Sequence, residues 1–80
     1  MTESEQEPLK LFARRTGLSC EDFMFVCGCL NGLSIFSYKH RITRRYLNIS
    51  ASTGEAYVWA GFHDAYTQIS DANAVAHVLG

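Results

Sequence analysis

Two segments that alternate apolar and polar residues, Arg45 to Ser52 and Glu55 to Phe62, meet at Thr53-Gly54. Period-two alternation on both sides of a glycine-bearing tip predicts a β-hairpin. With those two residues as the tip, Ser52 faces Glu55, Ala51 faces Ala56, Ile49 faces Val58 and Leu47 faces Ala60. One side of the hairpin then carries Leu47, Ile49, Ala51, Ala56, Val58, Ala60 and Phe62, and this side must face a core. The other side carries Arg44, Tyr46, Asn48 and Ser50 on one strand and Tyr57, Trp59 and His63 on the other, with Tyr46 opposite Gly61.

The flanking sequence builds around that hairpin. Leu33 to Ile42 is β-branched and aromatic enough for a further strand with a basic far end. Upstream, Pro8 suits a first helical position, and Leu9, Leu11, Phe12 and Ala13 support a short helix ending at Gly17. Residues 1–8 are then a flexible acidic tail, and 9–80 one domain. Ser19 reads as the N-cap of a second helix, with Glu21 and Asp22 in its first turn and Phe23, Val26, Cys27, Leu30 and Leu33 at helical spacing. Residues 23–30 also form a continuous apolar run that suits a buried strand, with Asn31-Gly32 behind it as a hairpin signal. The capping pattern favours the helix. At the C-terminus, Ser70 or Asp71 caps a short helix whose apolar stripe is Ala72, Val75, Ala76 and Leu79, closed by Gly80. The expected architecture is α+β: two N-terminal helices, a small antiparallel sheet and a C-terminal helix.

Eighty residues suffice for one core, and 48% hydrophobic against 19% charged residues marks a chain able to pack one. No apolar run approaches the roughly 18 residues that span a bilayer, and the polar, acidic start is unlike a secretory signal. Cys20, Cys27 and Cys29 are odd in number and lie within ten residues, which suits free thiols in a reducing cytoplasm better than a disulfide framework. The net charge of −1 conceals a segregation. Residues 1–9 carry −3, residues 10–45 hold all seven bases against Glu21 and Asp22, and residues 46–80 carry −3.

Catalytic and metal chemistry find little support. Cys27-x-Cys29 with His40, His63 or His77 has thiolate and imidazole donors, but two positions apart on a helix point to opposite sides and no second cysteine pair exists. Cys20 sits beside Glu21 and Asp22, which oppose thiolate formation. His63-Asp64 is adjacent in sequence, where a base and its orienting group need spacing. No catalytic residue, metal or cofactor is therefore expected.

Phe12 to Phe23 resembles a helix-turn-helix: an alanine, a glycine four residues on, a following leucine and apolar Phe23 and Val26 occupy the packing positions of that motif. Its base-reading positions would be Ser19, Cys20, Glu21, Met24 and Phe25, where arginine, glutamine or asparagine is the usual equipment. The helix-helix-sheet-helix order is also similar to that of histone-like HU proteins, whose basic arms this chain lacks.

Two surfaces remain. Lys39, His40, Arg41, Arg44 and Arg45 lie between Tyr38 and Tyr46, a cationic grip beside stacking rings. The same charges would also protect an edge strand. The hairpin's outer side, with Arg44, Tyr46, Asn48, Tyr57, Trp59 and His63, has the composition of an interface hot spot, unless a helix or a dimer mate covers it. The expected function is a small non-enzymatic protein-binding module of the inhibitor, immunity or anti-defence kind that phages and mobile elements encode. The alternative is a nucleic-acid-binding regulator that uses the helix-turn-helix-like segment and residues 39–45, and a permanently assembled subunit or homodimer is a third arrangement.

Overall fold

The computed structural model describes residues 1–30, 34–60 and 65–80. Helix α1 (Glu3–Thr16) leads into a 3₁₀ turn (Cys20–Asp22). Five strands follow: β1 (Phe23–Leu30), β2 (Ile35–His40), β3 (Tyr46–Ser50), β4 (Ala56–Ala60) and β5 (Ala65–Ile69). Helix α2 (Asp71–Leu79) completes the order. The strands make one antiparallel sheet in sequence order, so the chain is α+β, with one N-terminal helix instead of two. Among the described residues no helix is long and apolar enough to cross a membrane.

Helix α1 begins at Glu3, so residues expected as a tail form its first turns. Thr2 and Glu5 explain this: the Thr2 hydroxyl accepts the Glu5 N–H, and the Glu5 carboxylate accepts the Thr2 N–H at 2.8 Å. This reciprocal capping box is legible in the sequence as Thr-x-x-Glu. Pro8 lies inside the helix and is buried. Gly17 ends the helix as expected, with φ +81 and its N–H on the Ala13 carbonyl.

The second helix does not form. After one 3₁₀ turn the apolar run extends as β1, pairing Phe23 with His40, Met24 with Lys39 and Phe25 with Tyr38. Capping signals at Ser19, Glu21 and Asp22 specify only a local turn, whereas the strand gains a whole ladder and buries Phe23 on the core side. Gly28 also fits the strand, because a Cβ there would stand 3.0 Å from the Phe36 ring. The resemblance to a helix-turn-helix ends with α1, since its reading helix is absent. Asn31-Gly32 and Leu33 lie outside the described residues.

The central hairpin is present with its register moved by two. Ile49 pairs with Ala56 and Asn48 with Tyr57, and Ser50 and Glu55 close a four-residue loop in which Gly54 has φ +77. A two-residue tip would have required left-handed backbone at Thr53, a β-branched residue. The longer loop puts the single left-handed position on glycine. A shift of two preserves the faces, so Leu47, Ile49 and Ala56 remain on the core side, and all three are buried. Leu33 to Ile42 contributes β2, which is paired on both sides and is not an edge. The segment 65–69, not anticipated as a strand, pairs fully with β4.

Both helices take part in the core over one face of the sheet, where Leu9 and Phe12 of α1 and Ala74 and Val78 of α2 cluster with Phe23, Tyr38, Leu47, Ile49 and Ala56. The buried stripe of α2 differs from the expected one: Ala74 and Val78 point inward, while Ala72, Ala76 and Leu79 are exposed. Arg15 joins this helix to α1: it forks onto the Asp71 carboxylate at 2.6 and 3.1 Å and also donates to the Gly54 carbonyl at 2.7 Å. Ser70 caps α2 as expected, accepting the Asn73 N–H. Truncating Ile49→Ala at the centre of this core is expected to cost about 2–5 kcal/mol, measured by urea unfolding.

Candidate functional site

The face of the sheet away from the helices is organised in rows that run across the strands. One row is complete in the pairing: Cys27, Ser37, Asn48, Tyr57 and Gln68. It is polar and largely buried at its middle. The Ser37 hydroxyl donates to the Asn48 side-chain oxygen at 2.7 Å, and the Asn48 amide donates to the Tyr57 carbonyl at 3.3 Å. Asn48 is therefore a satisfied internal residue and not part of a contact surface.

The neighbouring row is amphipathic. Met24 pairs with Lys39, Lys39 with Tyr46, and Trp59 with Tyr66. Counting two residues from the Asn48–Tyr57 pair puts Tyr46 level with Trp59, where a two-residue tip would have put Gly61. Trp59 is 44% exposed and Tyr46 43% exposed. The Trp59 and Tyr66 rings meet at 4.9 Å, and the Lys39 ammonium lies 5.8 Å from the centre of the Tyr46 ring. Such ring pairs contribute about 0.5–1.5 kcal/mol and hold each other in a fixed pose.

Ile35, Ser37, Asn48 and Ser50 are buried on the face of the sheet opposite the helix-covered core. Burial also pushes the Tyr66 hydroxyl pKa up, with Ser37 opposing the shift.

The remaining expected residues are dispersed. Arg44 is not on the strand beside Tyr46; it sits in the turn between β2 and β3 with φ +67. His40 is 4% exposed and belongs to no open basic patch. Its Nδ1 accepts the N–H groups of Ile42 and Thr43, both at 3.2 Å, and so organises that turn. Arg41 donates to the Glu21 carbonyl and Arg45 to the His77 carbonyl, while the Thr43 hydroxyl donates to the Val78 carbonyl at 2.6 Å. The basic segment thus ties the start of β1 and the end of α2 to the sheet. The tethering side chains of Arg41 and Arg45 stay exposed. His63 lies outside the described residues.

Two features escaped the sequence. Tyr66 joins the row because β5 exists, and Ala65 to Ile69 is a short alternating run bounded by Ser70 that could have signalled it. A cleft of about 630 Å³ also opens between α1 and the β3–β4 loop, lined by Glu7, Leu11, Phe36, Ala51 and Thr53 among others. Among the described residues no three histidine, cysteine or acidic side chains converge as a metal site would require. Comparison with protein-family models, with curated proteins and with solved structures gives no significant match.

The division between tether and surface has a direct consequence. His40→Ala leaves two turn N–H groups without their acceptor and is expected to destabilise by about 1–3 kcal/mol. Lys39→Ala, two atoms of backbone away on the opposite face, is expected to stay within about 0.5 kcal/mol of the parent. Chemical denaturation of both variants checks this.

Proposed function

We propose that this chain is a small non-enzymatic protein-binding module acting in the cytoplasm, of the inhibitor, immunity or anti-defence kind carried by phages and mobile elements. Its contact surface is the row Lys39, Tyr46, Trp59 and Tyr66. The observation that carries the reading is the exposure of Trp59 and Tyr46 on adjacent strands, each ring held by a neighbour: Trp59 by Tyr66 and Tyr46 by Lys39. Rings that are exposed yet already ordered lose little conformational freedom on binding, which is the property shared by interface anchors. The helix-covered face supplies the hydrophobic core, and Lys39, Tyr46 and Trp59 lie outside that cluster. A binder of this type needs a stiff scaffold and one patch, and the five-stranded sheet with its satisfied polar centre supplies the stiffness.

The test separates a binding residue from a core residue. Trp59→Ala is expected to lose the ring pair, about 0.5–1.5 kcal/mol, together with the contribution of the part of the ring that is buried, and to melt above Ile49→Ala. Against a partner it is expected to weaken binding by about 2 kcal/mol or more, by calorimetry. A thermal melt of Trp59→Ala that coincides with that of Ile49→Ala makes the ring structural and rejects this surface.

A further inference from the structure

We infer, resting on the reading of the row as the contact surface, that the partner presents to it a protein segment with acidic residues at one end and apolar residues at the other. The row is electrostatically lopsided. At its β2–β3 end stands Lys39, one residue before His40 and the turn that carries exposed Arg41 and Arg44, while Arg45 reaches to the His77 carbonyl on the helix side. At its β4–β5 end stand Trp59 and Tyr66, with no charged residue in either strand. Across all five strands Lys39 is the only lysine or arginine, and there is no aspartate or glutamate. The nearest acids on the cationic side, Glu21 and Asp22, precede β1 and set two exposed carboxylates against Lys39, Arg41 and Arg44. A carboxylate that approached Lys39 and Tyr46 would meet attraction and no like charge from the sheet. An apolar group would be served at the other end by the Trp59–Tyr66 pair.

The same layout disfavours a nucleic acid. A single strand carries a phosphate with every base and calls for cations along its whole track. Here the cations gather at one end, and the net charge of −1 adds no long-range attraction for a polyanion. A localised acidic group joined to apolar side chains matches the row; a uniformly charged chain does not. Complementary charge at one end also fixes the direction in which such a segment lies.

The experiment uses the full chain, whose single tryptophan is Trp59, so its emission reports on the row. Three probes are titrated at low salt: an end-blocked peptide of four glutamates followed by Leu-Phe-Leu, the same peptide with four lysines, and an oligothymidylate 20-mer. The glutamate peptide is expected to change the emission saturably and to bind about tenfold tighter than either other probe. Lys39→Met, which keeps the alkyl stem, is expected to weaken it about threefold or more with the melting temperature unchanged. Equal or tighter binding of the lysine peptide overturns the proposal. So does tighter binding of the oligothymidylate, which would make the ligand a nucleic acid, and so does the absence of any saturable change. A Trp59→Ala chain that melts as early as Ile49→Ala defeats the underlying reading by itself. Failure of the peptide preference in a chain where Trp59→Ala melts normally defeats only the partner chemistry.

Discussion

Ile49 opposite Ala56 is the contact on which the rest of the fold depends. Both side chains are wholly buried, and both lie in the cluster with Ala74 and Val78 of α2 and Leu9 and Phe12 of α1. Because side chains alternate along a strand, fixing this pair on the core face fixes every other residue of β3 and β4. Tyr46, Asn48, Tyr57 and Trp59 must then face away. The pairing also decides where α2 can lie, since alanines at 56 and 74 leave room for the helix to approach the sheet. Arg15 finishes the arrangement from outside by joining α1, α2 and the β3–β4 loop. Its own charge is reinforced chiefly by the hydrogen bond with Asp71, which outweighs the desolvation that opposes it. Being exposed, this clasp orients the helices more than it stabilises them.

The second face is not an ordinary wet surface, since Ser37, Asn48 and Ser50 are buried at its centre. The polar groups there satisfy one another, with Ser37 bonded to Asn48 and Asn48 to the Tyr57 carbonyl, so their burial costs no unpaired donor. Among the described residues no buried side-chain polar atom lacks a partner. What remains accessible is the rim: Tyr46 and Trp59, each braced by a neighbour. Tyr38 plays the matching part on the core side. Burial raises its hydroxyl pKa far above the ordinary value, and the hydroxyl donates to the Glu5 carbonyl, which holds the first turns of α1 onto the sheet.

What could be read from the sequence was whatever a short window determines. The α+β class, the two faces of the hairpin, Gly17 as the end of α1 and Ser70 as the start of α2 all rest on alternation or capping within a few residues. What could not be read was decided by distant pairing. Residues 23–30 carry helix-capping signals before them and a strand-forming composition within them, and only β2 as a partner tips the balance toward strand. The buried stripe of α2 is set by distant packing, since Ala74 and Val78 join Leu9, Phe12, Ile49 and Ala56 in one cluster. Of the candidate site, Tyr46 and Trp59 were legible as outward-facing rings. Asn48 and His40 were not legible as internal residues, since their partners Ser37, Tyr57, Ile42 and Thr43 are known only from the turn and sheet geometry.

One face of the sheet is thus a core, and the other carries an exposed, braced row of rings. The chain's single tryptophan allows this to be read without any partner. Acrylamide quenching of the native emission is predicted to proceed with a slope comparable to that of the urea-unfolded chain, because Trp59 stands at the rim with nearly half its surface in water. A strongly blue-shifted emission that acrylamide barely quenches in the native state, and quenches freely only after unfolding, would contradict it.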